Sequence, residues 1–303
     1  MKPFLKNTIL FLLLSLLFVE AMILLLGGSG KLRNVSYLLQ VGDGLYTKVK
    51  ETDTVRDVDV LFLGSSHSYR TFDPRIFDSC GIHIVNLGSS NQTPLQSEVL
   101  LRTLLQRVNP RLVVMEVHPD IMVLDGVESA IYMISSMPPS WTMLRMALRT
   151  RNWRVLMTAL YAMPHNGLSP SFRHFVEEEE GYVEGGYVEH PMECYSPQPI
   201  ESKAIVNVTQ QEEALARCVA YLKEQGVPYL LLEVPDTKAL TDSYTNLSDF
   251  QDAMRQYGNY HYYPVPLDDS LHFYNANHLN QRGVQIYDAF IIDTLIAPAL
   301  GGL

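Results

Sequence analysis

Residues 58–63 (VDVLFL), 83–87 (HIVNL) and 112–117 (LVVMEV) are apolar runs of strand length, ended by Gly64, Gly88 and His118. Runs this short and continuous fit strands buried on both faces, which occur almost only in parallel sheets covered by helices. Between the second and third, Leu95, Val99, Leu100, Leu104 and Leu105 recur at helical spacing until Asn109-Pro110 stops the helix. The alternation resumes later, with helices over about 209–225, 242–257 and 280–296 and strands over about 228–234 and 261–265. Strands alternating with helices predict an α/β chain, with a mainly parallel five-stranded sheet in three α/β/α layers of flavodoxin-like type.

Between about 120 and 205 the alternation lapses. This stretch holds Pro138-Pro139, a Met- and Leu-rich helical region from 141 to 163 and the acidic run EEEEGYVEGGYVE at 177–189. It reads as a helical insert or cap, with its Met, Trp and Leu stripe packed inside and its acidic run mobile. The predicted organisation is thus a segment 1–27, a connector 28–55 with one short helix, and a domain 56–303 carrying the insert.

Segment 1–27 has a separate character. From Thr8 to Leu26 only Thr8, Ser15 and Glu20 are polar, which is long enough to cross a bilayer as a helix. Lys2 and Lys6 before it favour a cytoplasmic N-terminus, while Lys31 and Arg33 after it weaken that preference. A cleaved signal peptide is the competing reading, although no Ala-x-Ala pattern follows Leu26. Both readings put the rest of the chain outside the cytoplasm. Glu20 inside the apolar run is either a snorkelling carboxyl or a polar contact to another membrane protein.

Charge excludes one class of partner. Setting Lys2, Lys6 and Glu20 aside leaves 21 basic and 32 acidic residues beyond residue 30, a net of −11. Such a domain has no electrostatic case for binding nucleic acid. The first glycine loop lacks the Gly-Lys-Ser/Thr of a nucleotide-binding loop. Cys80, Cys194 and Cys218 lack metal-site spacing, and sequence cannot select one disulfide among them.

Ligands of an open parallel sheet sit beyond the carboxyl ends of its strands. Those ends supply Gly64-Ser65-Ser66-His67-Ser68, Gly88-Ser89-Ser90-Asn91, His118-Pro119-Asp120, Pro235-Asp236 and, after the fifth strand, Asn275-Ala276-Asn277-His278. Hydroxyls, glycines and a late histidine suit acyl transfer, which needs a nucleophile, a base and backbone donors for an oxyanion. Bland readings compete: Ser66 as a helix N-cap, His278 as a packing residue at the last helix, His67 and His118 as structural histidines. Glu116, His118 and Asp120 faintly suggest a metal site.

FLGSSHSYRTFDP at 62–74, NLGSSNQTP at 86–94 and NANHLNQRG at 275–283 resemble blocks of the GDSL/SGNH hydrolase superfamily. More narrowly, they are similar to its membrane-anchored branch in cell-envelope acylation, such as the lipoteichoic acid D-alanylation and alginate acetylation proteins. The resemblance spans about 56–119 and 205–297 and leaves the insert outside. It implies Ser66 as nucleophile, His278 as general base, and the N–H groups of Gly88 and Ser66 as the oxyanion hole, with Ser65 where that family usually has aspartate. It also implies a membrane-anchored esterase or O-acyltransferase acting on an envelope glycan, partnered with a membrane-bound O-acyltransferase, with no cofactor.

Two departures stand out. Asn275 occupies the place of the triad aspartate, so Asp268 or Asp269 would have to substitute, or the site runs as a dyad. The family's Gly-x-Asn-Asp block is missing, leaving Glu116, His118 or Asn91 to complete the site. Both departures support the rival reading, a catalytically silent binding or scaffold protein of the same fold.

Overall fold

The computed structural model describes residues 2–27, 31–32, 34–37, 44–168 and 181–301. Seven strands occur among them: β1 (Val60–Leu63), β2 (Ile84–Asn86), β3 (Leu112–Glu116), β4 (Tyr182–Val183), β5 (Tyr187–Val188), β6 (Tyr229–Glu233) and β7 (Tyr260–Tyr262). Five form one parallel sheet in the order β2-β1-β3-β6-β7. That is the flavodoxin-like order once the β4-β5 hairpin is set aside, and it is the α/β architecture the sequence predicts.

Side chains of β1 alternate between the two faces. Leu61 and Leu63 join one core with Leu95, Leu104 and Leu215 from the helices Pro94–Val108 and Thr209–Gln225. Val60 and Phe62 join the other with Phe72, Phe77, Val284 and Tyr287, beneath Pro74–Ser79 and Gln281–Ile291. Local signals set the helix ends. Thr93 and Gln96 form a reciprocal capping box with Pro94 in the first turn, and Gly226 closes Thr209–Gln225 in the left-handed region.

Several elements differ from expectation. The helix expected over 242–257 is two, Lys238–Ser243 and Leu247–Arg255, separated at Tyr244–Asn246. The strand expected over 261–265 ends at Tyr262, two residues before Pro264, which has no N–H for a ladder. The stretch 141–163 breaks into Trp141–Arg149 and Trp153–Leu168, with Arg151 left-handed at φ 50° between them. Its methionines Met143 and Met146 are buried as expected, but Trp141 and Trp153 point outward. No two of the cysteines are bonded to each other.

The acidic run is also different from its expectation. Residues 177–180 lie outside the described set, but 181–189 form the β4-β5 hairpin docked beside β2. Asn86 N–H donates to Gly185 O at 2.7 Å, and Glu51 accepts from Tyr182 Oη and Gly185 N–H. Gly186 (φ 98°) allows this approach, since a Cβ there would lie 1.9 Å from the Asn86 carbonyl. Tyr187 is buried and donates to Gln281.

Pro3–Gly27 is one helix of 25 residues, long and apolar enough to cross a bilayer. Its leucines and phenylalanines are largely uncovered, with Phe11, Leu16 and Leu25 all about two-thirds exposed or more. Length and composition fit an anchor and an export signal alike.

Candidate active site

The site begins where β1 ends. Gly64 has φ 151°, and a Cβ there would come within 2.6 Å of the Glu116 side chain. Glycine therefore lets the chain turn directly against β3. Ser65 is buried, and both its N–H and its Oγ–H donate to Glu116 Oε2, at 2.6 and 2.8 Å. Ser65 also accepts from His67 N–H and caps the short helix Ser66–Tyr69. The capping role expected of Ser66 is thus taken by Ser65, while Ser66 stands at the first helical position with its hydroxyl directed at His278. Among the described residues the Ser66 N–H makes no hydrogen bond, as first-turn amides often do not.

Ser66 Oγ lies 2.7 Å from His278 Nε2. Behind the ring, His278 Nδ1 is 3.1 Å from Asn275 Oδ1, which also accepts from the N–H groups of Asn277 and His278. An amide oxygen can only accept, so it assigns the proton to Nδ1 and leaves Nε2 to take the serine proton. The loop is held in place by Thr237, whose N–H and Oγ–H both donate to Ala276 O. Asp268 and Asp269 do not reach His278: Asp268 caps its own turn at Ser270 and Leu271, and Asp269 accepts from Lys238 N–H.

Gly88 requires a correction. Its N–H donates to Asn86 Oδ1 at 3.0 Å, so it is not free as the second oxyanion donor. Asn86 closes β2, and its side chain folds back over the strand end, also donating to Ser68 O. Gly88 O, in the next peptide along, accepts from the buried Lys48 Nζ at 2.8 Å, so the residue is held on both sides. Asn91 is half-buried in a left-handed turn with φ 50° and makes no hydrogen bond to Ser66 or His278.

Below the serine and base, three imidazoles stack. His67 lies 5.0 Å from His278 and 3.8 Å from His118 between ring centres, with interplanar angles of 24° and 14°. His118 Nε2 faces the Asp236 carboxylate at 2.9 and 3.0 Å, and its Nδ1 accepts from Asp120 N–H. Burial opposes a charged His118, but the Asp236 carboxylate outweighs it and raises the pKa to about 9. Charge alone would thus keep this ring an imidazolium at neutral pH. The bond from Asp120 argues the other way, because a protonated Nδ1 cannot accept it, and we take the ring as the neutral Nε2–H tautomer.

His278 shows the opposite trend. Burial, then the nearby His190 and Arg70, push its pKa down to about 3. His67 is likewise held well below the usual histidine range, first by burial. Burial raises the Glu116 carboxyl, partly countered by His118 and the Ser65 bonds.

His67, His118 and Asp236 bring one ligand atom each to within 4.8 Å of one another. Two imidazoles stacked nearly parallel hold their in-plane lone pairs side by side, and these do not converge on one ion as zinc ligation requires. The donor set fits hydrogen bonding better than ligation. Asp120 is engaged elsewhere, by Lys203.

Two further groups border the site without having been singled out. His190, just after the hairpin, stacks on Tyr274 at 4.0 Å, and its ring centre is 5.7 Å from that of His278. Arg70 Nη1 lies 3.3 Å from His190 Nδ1. Burial, then Arg70, lowers the His190 pKa to about 3. His190 sits in the insert, where no periodicity marks it. Asp236, in contrast, directly follows a strand.

No protein-family model matches the chain, and no curated protein matches it. Solved structures resemble it weakly. A GDSL-like lipase from Bacteroides thetaiotaomicron VPI-5482 is 15% identical over 85% of this chain and 98% of its own, with a TM-score of 0.31. A protein assigned as an acylhydrolase from Bacteroides fragilis NCTC 9343 is 16% identical over 83% and 94%, with a TM-score of 0.29. A gut microbial diltiazem-metabolizing enzyme is 11% identical over 82% of this chain and 47% of its own, with a TM-score of 0.26. Likenesses at this level carry no argument here; the fold rests on the sheet topology and the chemistry of the site on its own geometry.

Proposed function

We propose that the chain is a membrane-anchored serine esterase or O-acyltransferase acting on acyl esters, acetyl foremost, of a cell-envelope polysaccharide. The observation that carries this reading is the 2.7 Å contact from Ser66 Oγ to His278 Nε2, with Asn275 Oδ1 behind Nδ1. A nucleophile, a base and an orienting group in line form the working part of a triad.

In this mechanism His278 Nε2 takes the Ser66 proton as Oγ attacks the ester carbonyl carbon. The Ser66 N–H faces the developing oxyanion. Collapse of the tetrahedral intermediate breaks the ester C–O bond, and the imidazolium returns its proton to the departing alcohol. Acyl-Ser66 then passes its acyl group to water or to a sugar hydroxyl, with His278 again removing the proton. Asn275 fixes the tautomer but adds no negative charge to stabilise the imidazolium, so turnover is slow compared with a carboxylate triad. The branch resemblance supports a membrane-bound O-acyltransferase as partner, and Glu20 in the apolar helix suits such a contact.

A silent scaffold is the second reading, favoured by Asn275 and by the occupied Gly88 N–H. Acetate release from an O-acetylated oligosaccharide, with wild type beside Ser66→Ala, separates the two. Esterase chemistry predicts release that the variant loses. Equal release from both, or none from either, favours the scaffold.

A further inference from the structure

The chain is acidic, with a formal net charge of −10, yet residues 141–154 (WTMLRMALRTRNWR) hold four arginines and no carboxylate. In the helix Trp141–Arg149, Met143, Met146 and Ala147 face the core. Trp141, Arg145, Leu148 and Arg149 recur on the opposite face at i, i+4, i+7 and i+8. Trp141 is 75% exposed, Leu148 56% and Trp153, after the turn, 60%, so three large apolar side chains lie open within one short stretch of chain. Arg149 is committed to the buried Glu98. Arg145, Arg151 and Arg154 form no ion pair among the described residues.

The helix Trp153–Leu168, which begins at one end of this face, packs on the apolar helix. Gly27 packs on the Tyr161 ring so closely that a Cβ would lie 2.6 Å from it. Ser36 reaches the same helix: its N–H donates to Thr158 Oγ1, and Arg154 Nη2 donates to Ser36 Oγ at 2.8 Å.

We infer that the Trp141–Arg154 face docks onto the anionic headgroup layer of the membrane that Pro3–Gly27 enters. Tryptophan sets its amphipathic ring at headgroup depth, and arginine is drawn to anionic lipid. The positive face turns to the lipid while the acidic remainder of the chain is repelled. The inference rests on the anchor reading of the N-terminal helix, which it extends by naming the surface the domain turns to the bilayer.

Trp141 and Trp153 are the chain's two tryptophans, so intrinsic fluorescence reports this face alone. The full chain is reconstituted in phosphatidylcholine vesicles with and without phosphatidylglycerol, using lipids brominated near the carbonyl or the methyl end of the acyl chain. Docking predicts a blue shift, strong quenching by the carbonyl-end bromines and protection from iodide, all greater with phosphatidylglycerol. Each of Arg145→Gln, Arg151→Gln and Arg154→Gln should weaken the anionic-lipid-dependent part by about fivefold. Trp141→Phe and Trp153→Phe assign the signals.

Flotation after an alkaline carbonate wash tests the anchor separately. Protein that floats with both tryptophans open to iodide overturns the docked face and leaves the anchor standing. Protein stripped by carbonate, yet quenched on intact anionic vesicles, keeps the face and removes the anchor. A blue shift that needs no lipid and grows with protein concentration points to a second copy on this face and overturns the proposal.

Discussion

His278 and His118 lie at the two ends of one imidazole stack, on the same sheet edge, yet their proton affinities are pushed in opposite directions. His278 is lowered to about 3 and His118 raised to about 9. Burial disfavours charge on both rings, so the partner decides. Behind His278 stands the amide of Asn275, and beside His118 stands the carboxylate of Asp236. The end that meets Ser66 is thus a weak base with no counter-charge, and the carboxylate that a triad normally places there is two rings away. On the proposed function the upper end is the reactive one and the lower end is structural.

The largest effect should come at the upper end. Ser66→Ala should lower ester turnover by about a thousandfold or more, as removing a triad nucleophile does elsewhere. Denaturant midpoints should stay near wild type, because the Ser66 side chain bonds only His278 among the described residues and Ser65 does the capping. A large loss of stability instead would make Ser66 a structural residue.

At the lower end, Asp236→Asn should act on stability. It removes the carboxylate that accepts from the neutral His118 Nε2–H in a site where His118 is 0% and Asp236 6% exposed, and a hydrogen bond to a charged group contributes about 1.5–3 kcal/mol. Urea unfolding measures it. Asp236→Asn acting on turnover with no loss of stability would contradict the division between the two ends.

Asn275→Asp sharpens the comparison by giving the upper ring the partner that the lower one has. A carboxylate favours the imidazolium, so the His278 pKa should rise and the acid limb of kcat/KM should move up from about 3 towards neutrality. Turnover at neutral pH should rise by about tenfold or more, within the roughly four orders that the reverse change costs in a serine protease. A pH–rate profile that stays put would show that the Asn275 side chain does not govern His278.

A separate effect is on stability against pH. His67, His190 and His278 all have lowered proton affinities in the folded chain. Below about 6.5 the unfolded chain takes up protons that these rings refuse, so stability should fall as pH drops from there towards 3. Denaturation midpoints across that range report the slope, and His67→Gln should flatten it.

Much of this was legible in the sequence for a physical reason. Buried parallel strands leave continuous apolar runs, and the residues after such runs sit at the carboxyl edge of the sheet, which is how Ser66 and His278 come into view. The chain's turns were harder to read. The Asn86 side chain takes the Gly88 N–H through a strand-end fold-back that no periodicity encodes. His190 enters from an insert without pattern. Trp141 and Trp153 share a stripe with buried methionines, and only the helix phase shows that they face outward. The acidic run looked loose, but Gly185 and Gly186 let its hairpin lie against β2.

The account depends on Ser66 being a nucleophile activated by His278. Intact-mass analysis after treatment with a fluorophosphonate tests that most directly. The account predicts one adduct on Ser66 in the wild type, none in Ser66→Ala, and much slower labelling in His278→Ala. A folded wild-type chain that acquires no adduct, or one that labels equally in Ser66→Ala, would contradict it.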